Sequence, residues 1–547
     1  MSTQWKRRQK MLSNMNMKKD SKQCECVIDK ETIRIGSYIG KKGYTIPREL
    51  LSDSELEFLH KDLFVKPESN GPSYGPVEEC SFPVYRENVK KIYIPRFYGI
   101  ERYGLPERTE ITPGENISVV FPKPLRDYQD KIIDVYMKHI DNNICSGSEM
   151  KGNGGILEVP CGRGKTVMAL KIISLIQKKT LIIVHKEFLM NQWIERAAEF
   201  LPGATIGKIQ GPTFDVDGKD IVIGMLQTLY DRALPEDSFD CFGLTIVDEV
   251  HRIGSEQFSK TLLRVIRPNM LGISATVDRK DKLTKVLYMF IGPKIYTETR
   301  EDDDPVCVRG IEYISSDPQF NETECDFRGQ TKYSTMISKL CDFGPRSDFI
   351  VRVLSDLVKE GEGQEQETQI MVLCHNRSLL KYFYEAICYK GFATVGYYVG
   401  GMKQAALQET EEKQIVLATY AMAAEALDIK TLSILLMATP KTDITQSVGR
   451  ILRVRHANPV VVDIVDRHDT FQNQWRQRKT FYRKCNYRIL SMDSIRYNGM
   501  SLDWNTDKTW SKVFEPRGSS SNGEQKKCLE TAPKKCMISI ADLDMEE

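Results

Sequence analysis

Three short stretches hold residue types and spacings that could do chemistry: Gly162-Arg163-Gly164-Lys165-Thr166, Asp248-Glu249-Val250-His251, and 446–453, which reads Gln-Ser-Val-Gly-Arg-Ile-Leu-Arg. In the first, backbone N–H groups at the start of a helix can cradle anionic oxygens, Lys165 can reach β- and γ-phosphates, and the Thr166 hydroxyl can ligate Mg2+. In the second, a largely apolar run delivers Asp248 to hold Mg2+ through water, and Glu249 to orient or deprotonate an attacking water. The third sets Arg450 and Arg453 about 200 residues beyond the acidic box, which requires a second domain closing on the nucleotide. The phosphate loop is a short one, because Val159 stands where G-x-x-x-x-G-K-[ST] wants its first glycine. Gly272-Ile-Ser-Ala-Thr276 follows another strand-like run and sets two hydroxyls, Ser274 and Thr276, where they could sense the acidic box.

The elements that must position these groups are legible as apolar runs of strand length. They recur at 156–159, 180–184, 220–223 and 243–247, with helical stretches at 166–176 and 187–200 between them, as buried parallel strands require. A second set follows the acidic 301–304 turn: 306–314, 369–374, 394–399, 415–418, 432–437 and 460–464. Both sets predict doubly wound α/β sheets with ligand loops at the carboxyl ends of the strands.

A chain of 547 residues and 62.7 kDa exceeds what one core usually supports. The expected organisation is a basic flexible arm at 1–26, an accessory α+β domain at 27–115, a nucleotide-binding domain at 116–298, a junction at 299–326, a second α/β domain at 327–490, and an extension at 491–547 that is largely disordered from about 516. In the accessory domain, β-like runs are predicted at 33–39 and 91–97 and a helix at 52–61; residues 471–488 read as a final amphipathic helix. Two loops stand out by composition, 315–326 and 361–368, and no strand-separating wedge is identifiable.

Net charge is +2, hydrophobic content 41% and mean hydropathy −0.38, ordinary globular values that neither favour nor exclude a nucleic-acid partner. No apolar run is long enough to span a bilayer and residues 1–23 carry no secretory signal, so no membrane role is expected. The 14 cysteines include no Cys-x-x-Cys pair and read as reduced thiols in an intracellular protein.

With motifs in order from about 125 to 455, the chain resembles a superfamily 2 helicase of the DExH branch. Leu125-Arg-Asp-Tyr-Gln129 is similar to the adenine-reading Q motif, with Gln129 as the amide that pairs with the base. His185-Lys186 with Gln192-Trp193 stands at motif Ia, Gln227-Thr228 at Ib, the acidic box at II and Ser274-Ala275-Thr276 at III. Cys374-His-Asn-Arg377 resembles motif IV, 418–428 motif V, with Thr419 facing the strand and Asp428 near the ribose, and 446–453 motif VI. The resemblance implies two tandem RecA-like domains, His251 and Gln446 linked across the cleft, and Arg450 and Arg453 as arginine fingers. Motif V departs from the family's Glu-Gly-x-Asp, having Ala426 where the glycine stands.

Within the superfamily, Pro160 to Thr166, the Asp-Glu-Val-His box, 275–281 and 446–453 look like the XPB-like group and its relatives in large DNA viruses, including the poxvirus transcript-release helicase. That implies ATP and Mg2+, 3′→5′ translocation mostly on DNA in transcription, repair or recombination, with such machinery as partner, and a viral site of action in the virion or the host cytoplasm or nucleus. Two other readings stay open. Phosphate-gripping motifs do not distinguish sugars, so RNA is a candidate substrate; a nucleotide-gated scaffold without turnover is the non-enzyme alternative. The sequence leaves oligomeric state open.

Overall fold

The computed structural model describes residues 29–67, 81–145, 153–160, 162–235, 237–252, 256–277, 283–298, 306–361, 368–425, 429, 431–449, 459–497 and 510–516. The expected basic arm, and the tail beyond 516, lie outside them.

The first unit is a five-stranded sheet, β1 (Tyr38–Gly40), β2 (Gly43–Pro47), β3 (Arg86–Glu87), β4 (Lys91–Ile94) and β5 (Arg108–Thr109), ordered β3-β4-β2-β1-β5. Helices α1 (Lys30–Gly36), α2 (Asp53–Asp62) and α3 (Arg96–Tyr103) accompany it. Two expectations are corrected here. The run at 33–39 begins as helix, because the Asp29 carboxylate caps it by accepting from Thr32 N at 3.0 Å, and only Tyr38–Gly40 is strand. The run at 91–97 stops as strand at Ile94, since Pro95 holds a φ of −54° that starts α3.

One face of this sheet, Ile39, Tyr44, Ile46, Ile92 and Ile94, is buried in a core continuous with that of the next domain. Arg96 strengthens the junction: its guanidinium, buried, donates to Arg267 O at 2.8 Å, Pro268 O at 3.2 Å and Asn153 O at 3.3 Å. On the opposite face Arg108, Tyr38, Thr45, Tyr93 and Arg86 stand in register, with Lys91 and Arg108 over the Tyr38 ring and Lys42 over Tyr93.

The second unit is an eight-stranded sheet: β6 (Gly154–Glu158), β7 (Thr180–Val184), β8 (Ile206–Gln210), β9 (Thr213–Phe214), β10 (Ile221–Met225), β11 (Leu244–Asp248), β12 (Asn269–Ser274) and β13 (Lys294–Thr297). The order is β9-β8-β10-β7-β11-β12-β6-β13, parallel except for β9. Its helices are α4 (Asp127–Cys145), α5 (Lys165–Ile176), α6 (Glu187–Phe200), α7 (Leu226–Asp231), α8 (Glu256–Leu262) and α9 (Thr284–Ile291). The central strands are buried on both faces, which explains their unbroken aliphatic sequences. Register aligns Met225 with Val184, Asp248 with Ile273, and Ser274 with Glu158, so the candidate groups gather at one carboxyl edge.

The third unit repeats the design with β14 (Cys307–Tyr313), β15 (Gln369–Cys374), β16 (Val395–Tyr398), β17 (Ile415–Thr419), β18 (Leu432–Met437), β19 (Val460–Asp466), β20 (Arg488–Asp493) and β21 (Ser511–Phe514). The order is β16-β17-β15-β18-β19-β14-β20-β21, with only β21 antiparallel. Helices α10 (Pro318–Asn321), α11 (Tyr333–Asp342), α12 (Gly344–Gly361), α13 (Arg377–Lys390), α14 (Gln404–Glu411), α15 (Tyr420–Glu425), α16 (Thr445–Val448) and α17 (Asp469–Lys484) connect it.

Both expected limits of this domain are corrected. Strand β14 pairs with β19 and β20 inside the sheet, so residues 307–313 are not junction. The helix predicted over 471–488 ends at Lys484, and the sheet continues through β20 and β21 to Phe514, past the expected limit at 490. No helix among the described residues is long and apolar enough to cross a membrane. The cysteines whose side chains are described, Cys241, Cys341 and Cys374 among them, are free thiols.

Candidate nucleotide site and strand-end loops

The loop after β6 turns through Gly162 and Gly164, at φ of +82° and +79°, into the first turn of α5, which begins at Lys165. A β-carbon at Gly164 would collide with the Gln129 amide. That amide is engaged at both ends: Nε2 donates to Arg163 O at 3.1 Å and Oε1 accepts from Arg126 N at 3.0 Å. Gln129, expected to read adenine, therefore braces the phosphate loop, with only 5% of its surface exposed. The Arg163 guanidinium turns away from the loop, lying 3.9 Å from the Tyr128 ring centre and donating from Nε to Glu298 Oε1 at 2.9 Å. Only its backbone remains for phosphate.

Strand β11 delivers Asp248 buried at its end, and Glu249 follows in the left-handed region at φ +49°, a conformation an L-residue holds only where surroundings impose it. Lys165 Nζ lies 3.8 Å from Glu249 Oε1, and Glu249 Oε2 lies 3.3 Å from His251 Nδ1. His251 Nδ1 is also 2.8 Å from Ser274 Oγ, which donates to Thr276 O at 2.6 Å. Four side chains from three strand ends thus form one polar chain. It joins the lysine that opens α5 to the end of β12.

Asp248 has a partner that sequence reasoning missed. Trp193, in α6 and 1% exposed, donates from Nε1 to Asp248 Oδ2 at 2.8 Å, while Glu249 N donates to Oδ1 at 2.9 Å. Burial, with Glu249 beside it, pushes the Asp248 carboxyl well above the usual carboxylate range against the opposing pull of Trp193 and Lys165. The signal was present in the Gln192-Trp193 pair, because a buried indole N–H needs an acceptor. Glu158, also missed, accepts from Val277 N at 2.8 Å, Lys294 Nζ at 2.9 Å and Thr297 Oγ1 at 3.2 Å, tying the base of the phosphate loop to the two neighbouring strands. The Asp248 carboxylate and the Thr166 hydroxyl are hard oxygen donors of the kind Mg2+ takes, so the residues present fit that ion.

Comparison with known proteins agrees with this geometry. The family described as type III restriction enzyme, res subunit, matches residues 122–279. A protein of Acanthamoeba polyphaga mimivirus, named provisionally as an ATP-dependent RNA helicase, is 32% identical over 468 residues, covering 83% of this chain and 86% of its own. The chain belongs to the superfamily 2 helicases. It falls among those related to the helicases of large DNA viruses: a protein of African swine fever virus, also named provisionally as an ATP-dependent RNA helicase, is 29% identical over 67% of this chain and 73% of its own. The DNA 3′-5′ translocase XPB2 of Sulfurisphaera tokodaii is 30% identical over 38% of this chain and 44% of its own. It is thus an ATP-using, nucleic-acid-binding enzyme.

The remaining described candidate residues of the helicase lie at or just after the carboxyl ends of strands in its two sheets. His185 and Lys186 follow β7, and Gln227 and Thr228 lie in α7 after β10, where Thr228 Oγ1 accepts from Gly211 N at 2.9 Å. Gln227 donates within its helix to Asp231 at 2.8 Å. In the other α/β domain, Arg377 opens α13 and donates to Gly400 O at 2.5 Å, and Thr419 ends β17 beside Cys374.

His375 holds Thr439 through Nδ1 at 2.8 Å, and burial together with Lys441 pushes its pKa down to about 4. Beneath these loops two arginines are buried against β19: Arg346 on Asp466 at 2.7 and 2.8 Å, and Arg478 on Asp463 at 2.7 and 2.9 Å. Tyr398, at the end of β16, is 3% exposed and belongs to the core. The side chain of Gln446, in α16, and residues Asp428, Arg450 and Arg453 lie outside the described ones, as does the Ala426 departure.

Proposed function

We propose that this helicase binds ATP with Mg2+ at the phosphate loop and acidic box and uses hydrolysis to translocate 3′→5′ along DNA, in viral transcription, repair or recombination inside the host cell. The observation that carries the motor is the chain from Lys165 through Glu249 and His251 to Ser274, which gives an event at the γ-phosphate a path out of the nucleotide site. In this reading Thr166 and Asp248 hold the metal, Glu249 activates water, and Arg450 and Arg453 arrive with Gln446 when the cleft shuts. His185, Lys186, Gln227, Thr228, Arg377 and Thr419 grip phosphates, so binding is salt-sensitive and nearly blind to sequence.

DNA as the substrate is supported by the archaeal relative named a DNA 3′-5′ translocase. RNA is the second reading, favoured by the names of the mimivirus and African swine fever virus relatives. Steady-state ATP hydrolysis with matched single-stranded DNA, duplex DNA and RNA separates them. Stimulation by DNA above RNA is expected, and stimulation by RNA alone moves the assignment to RNA. Displacement assays on 3′- and 5′-tailed substrates test the direction.

A further inference from the structure

Between β14 and α11 the chain leaves the carboxyl edge of the second α/β sheet and forms a small hairpin. Cys325 and Thr331 pair antiparallel at its base. The turn is unusually well braced for a projecting segment. Asp326 Oδ1 accepts from Arg328 N at 2.9 Å and Gln330 N at 2.8 Å, Asp326 N donates to Gln330 O at 2.8 Å, Gly329 N to Asp326 O at 3.0 Å, and Lys332 N to Glu324 O at 2.8 Å. Gly329 supplies the positive φ, +76°, that closes it.

Nine of the ten residues 321–330 are exposed, Asp326 being the exception. At the tip stands Phe327, 88% exposed, with the Arg328 guanidinium 5.0 Å from its ring centre. A stiff hairpin that holds a bare aromatic ring in water is built to insert that ring into something.

Its place in the fold says what. The hairpin's root is fixed to the elements that carry the helicase's strand-end loops: Thr331 Oγ1 accepts from Thr470 Oγ1 in α17 at 3.2 Å, and Lys339 Nζ donates to Glu322 O at 2.8 Å. Two residues past Thr331, Tyr333 donates to Pro440 O at 3.2 Å on the approach to motif VI and packs edge-on against His375 of motif IV, ring centres 6.5 Å apart. In the proposed motor this is the edge that meets nucleic acid, and these contacts tie the root of the tip to it.

We propose that the 325–331 hairpin is a strand-separating pin, with Phe327 stacking on the base at a duplex–single-strand junction while Arg328 and Lys332 meet the flanking phosphates. This rests on the nucleic-acid motor reading and adds to it an activity, opening of a duplex.

The test compares wild type, Phe327→Ala and Phe327→Tyr on tailed duplexes carrying 2-aminopurine at the junction. Loss of one stacked base predicts that Phe327→Ala slows unwinding roughly ten-fold or more and abolishes junction quenching. Its ATP turnover on single strands stays within about two-fold of wild type, and Phe327→Tyr, which keeps a stacking ring, unwinds like wild type. Unchanged unwinding by Phe327→Ala overturns the proposal and leaves the tip to a protein partner. A parallel fall in ATP turnover and unwinding also overturns it, because it marks a structural role. A wild type that hydrolyses ATP but separates no strands removes the pin alone; one without nucleic-acid-dependent turnover removes the motor reading as well.

Discussion

In the first α/β domain a buried carboxylate, Asp248, sits at the carboxyl edge itself, with Glu249 and Lys165 beside it and Glu249 held in a left-handed conformation. In the second, the most deeply buried charges lie under that edge, as the matched Arg346–Asp466 and Arg478–Asp463 pairs that tie α12 and α17 to β19. The same sheet architecture thus carries a strained, reactive edge in one copy and a braced one in the other. Charge matched bidentately at depth fixes geometry, whereas a cluster of ionisable groups at a strand end is a place where chemistry can be done. In the proposed motor the first domain holds the reaction and the second moves as a unit against it.

The largest expected effect breaks the bracing. Arg346→Ala leaves Asp466 buried without its partner and costs about 3–5 kcal/mol, read as an early unfolding transition of the second domain in urea. A loss below about 1 kcal/mol would mean the pair is not what holds the strand in place.

Next comes the reactive edge: Trp193→Phe keeps the ring but removes the N–H that holds Asp248 Oδ2. Loss of a hydrogen bond to a charged group, about 1.5–3 kcal/mol, should lower kcat roughly ten-fold or more with KM for ATP little changed. An unchanged kcat would show that Glu249 N alone positions the carboxylate. Ser274→Ala cuts the link to His251; basal hydrolysis should survive while stimulation by nucleic acid falls by about five-fold, a coupling near 1 kcal/mol. Equal loss of both rates would place Ser274 in the chemistry instead.

The last effect appears only on acidification. His375 is held near 4 in the folded chain against an ordinary 6.5, so the unfolded chain takes up its proton first as pH falls. Its contribution to the second domain is full above 6.5 and is lost between 6.5 and 4. His375→Gln should flatten the fall in stability over that window while leaving the value at pH 7.5 nearly unchanged. An identical pH profile in the variant would remove His375 as its source.

Much of this arrangement was legible in the residues. The strands Thr180–Val184, Gln369–Cys374 and Leu432–Met437 and the helix Glu187–Phe200 fall where the apolar runs predict, because strands buried on both faces must be aliphatic throughout. Short elements were not legible: Lys30–Gly36 is fixed by one capping carboxylate, and β20 and β21 follow a charged helix with little hydrophobic contrast to announce them. At the candidate site, motif order placed Lys165, Glu249 and Ser274 at strand ends. The Trp193–Asp248 bond joins positions 55 residues apart, and the engaged Gln129 amide depends on a backbone carbonyl, neither of which local pattern can encode. The hairpin escaped for a different reason: its stiffness lies in hydrogen bonds of Asp326, while its sequence reads as an ordinary polar loop.

The most direct test of the divided roles is ATP hydrolysis by wild type and Glu249→Gln, alone and with saturating single-stranded DNA, duplex DNA and RNA. Turnover stimulated by nucleic acid in the wild type and reduced by about a hundred-fold or more in the variant, with nucleotide binding and thermal stability retained, is the predicted result. Turnover that survives Glu249→Gln, or a wild type that hydrolyses nothing under any condition, contradicts a reaction centred on the first domain's edge.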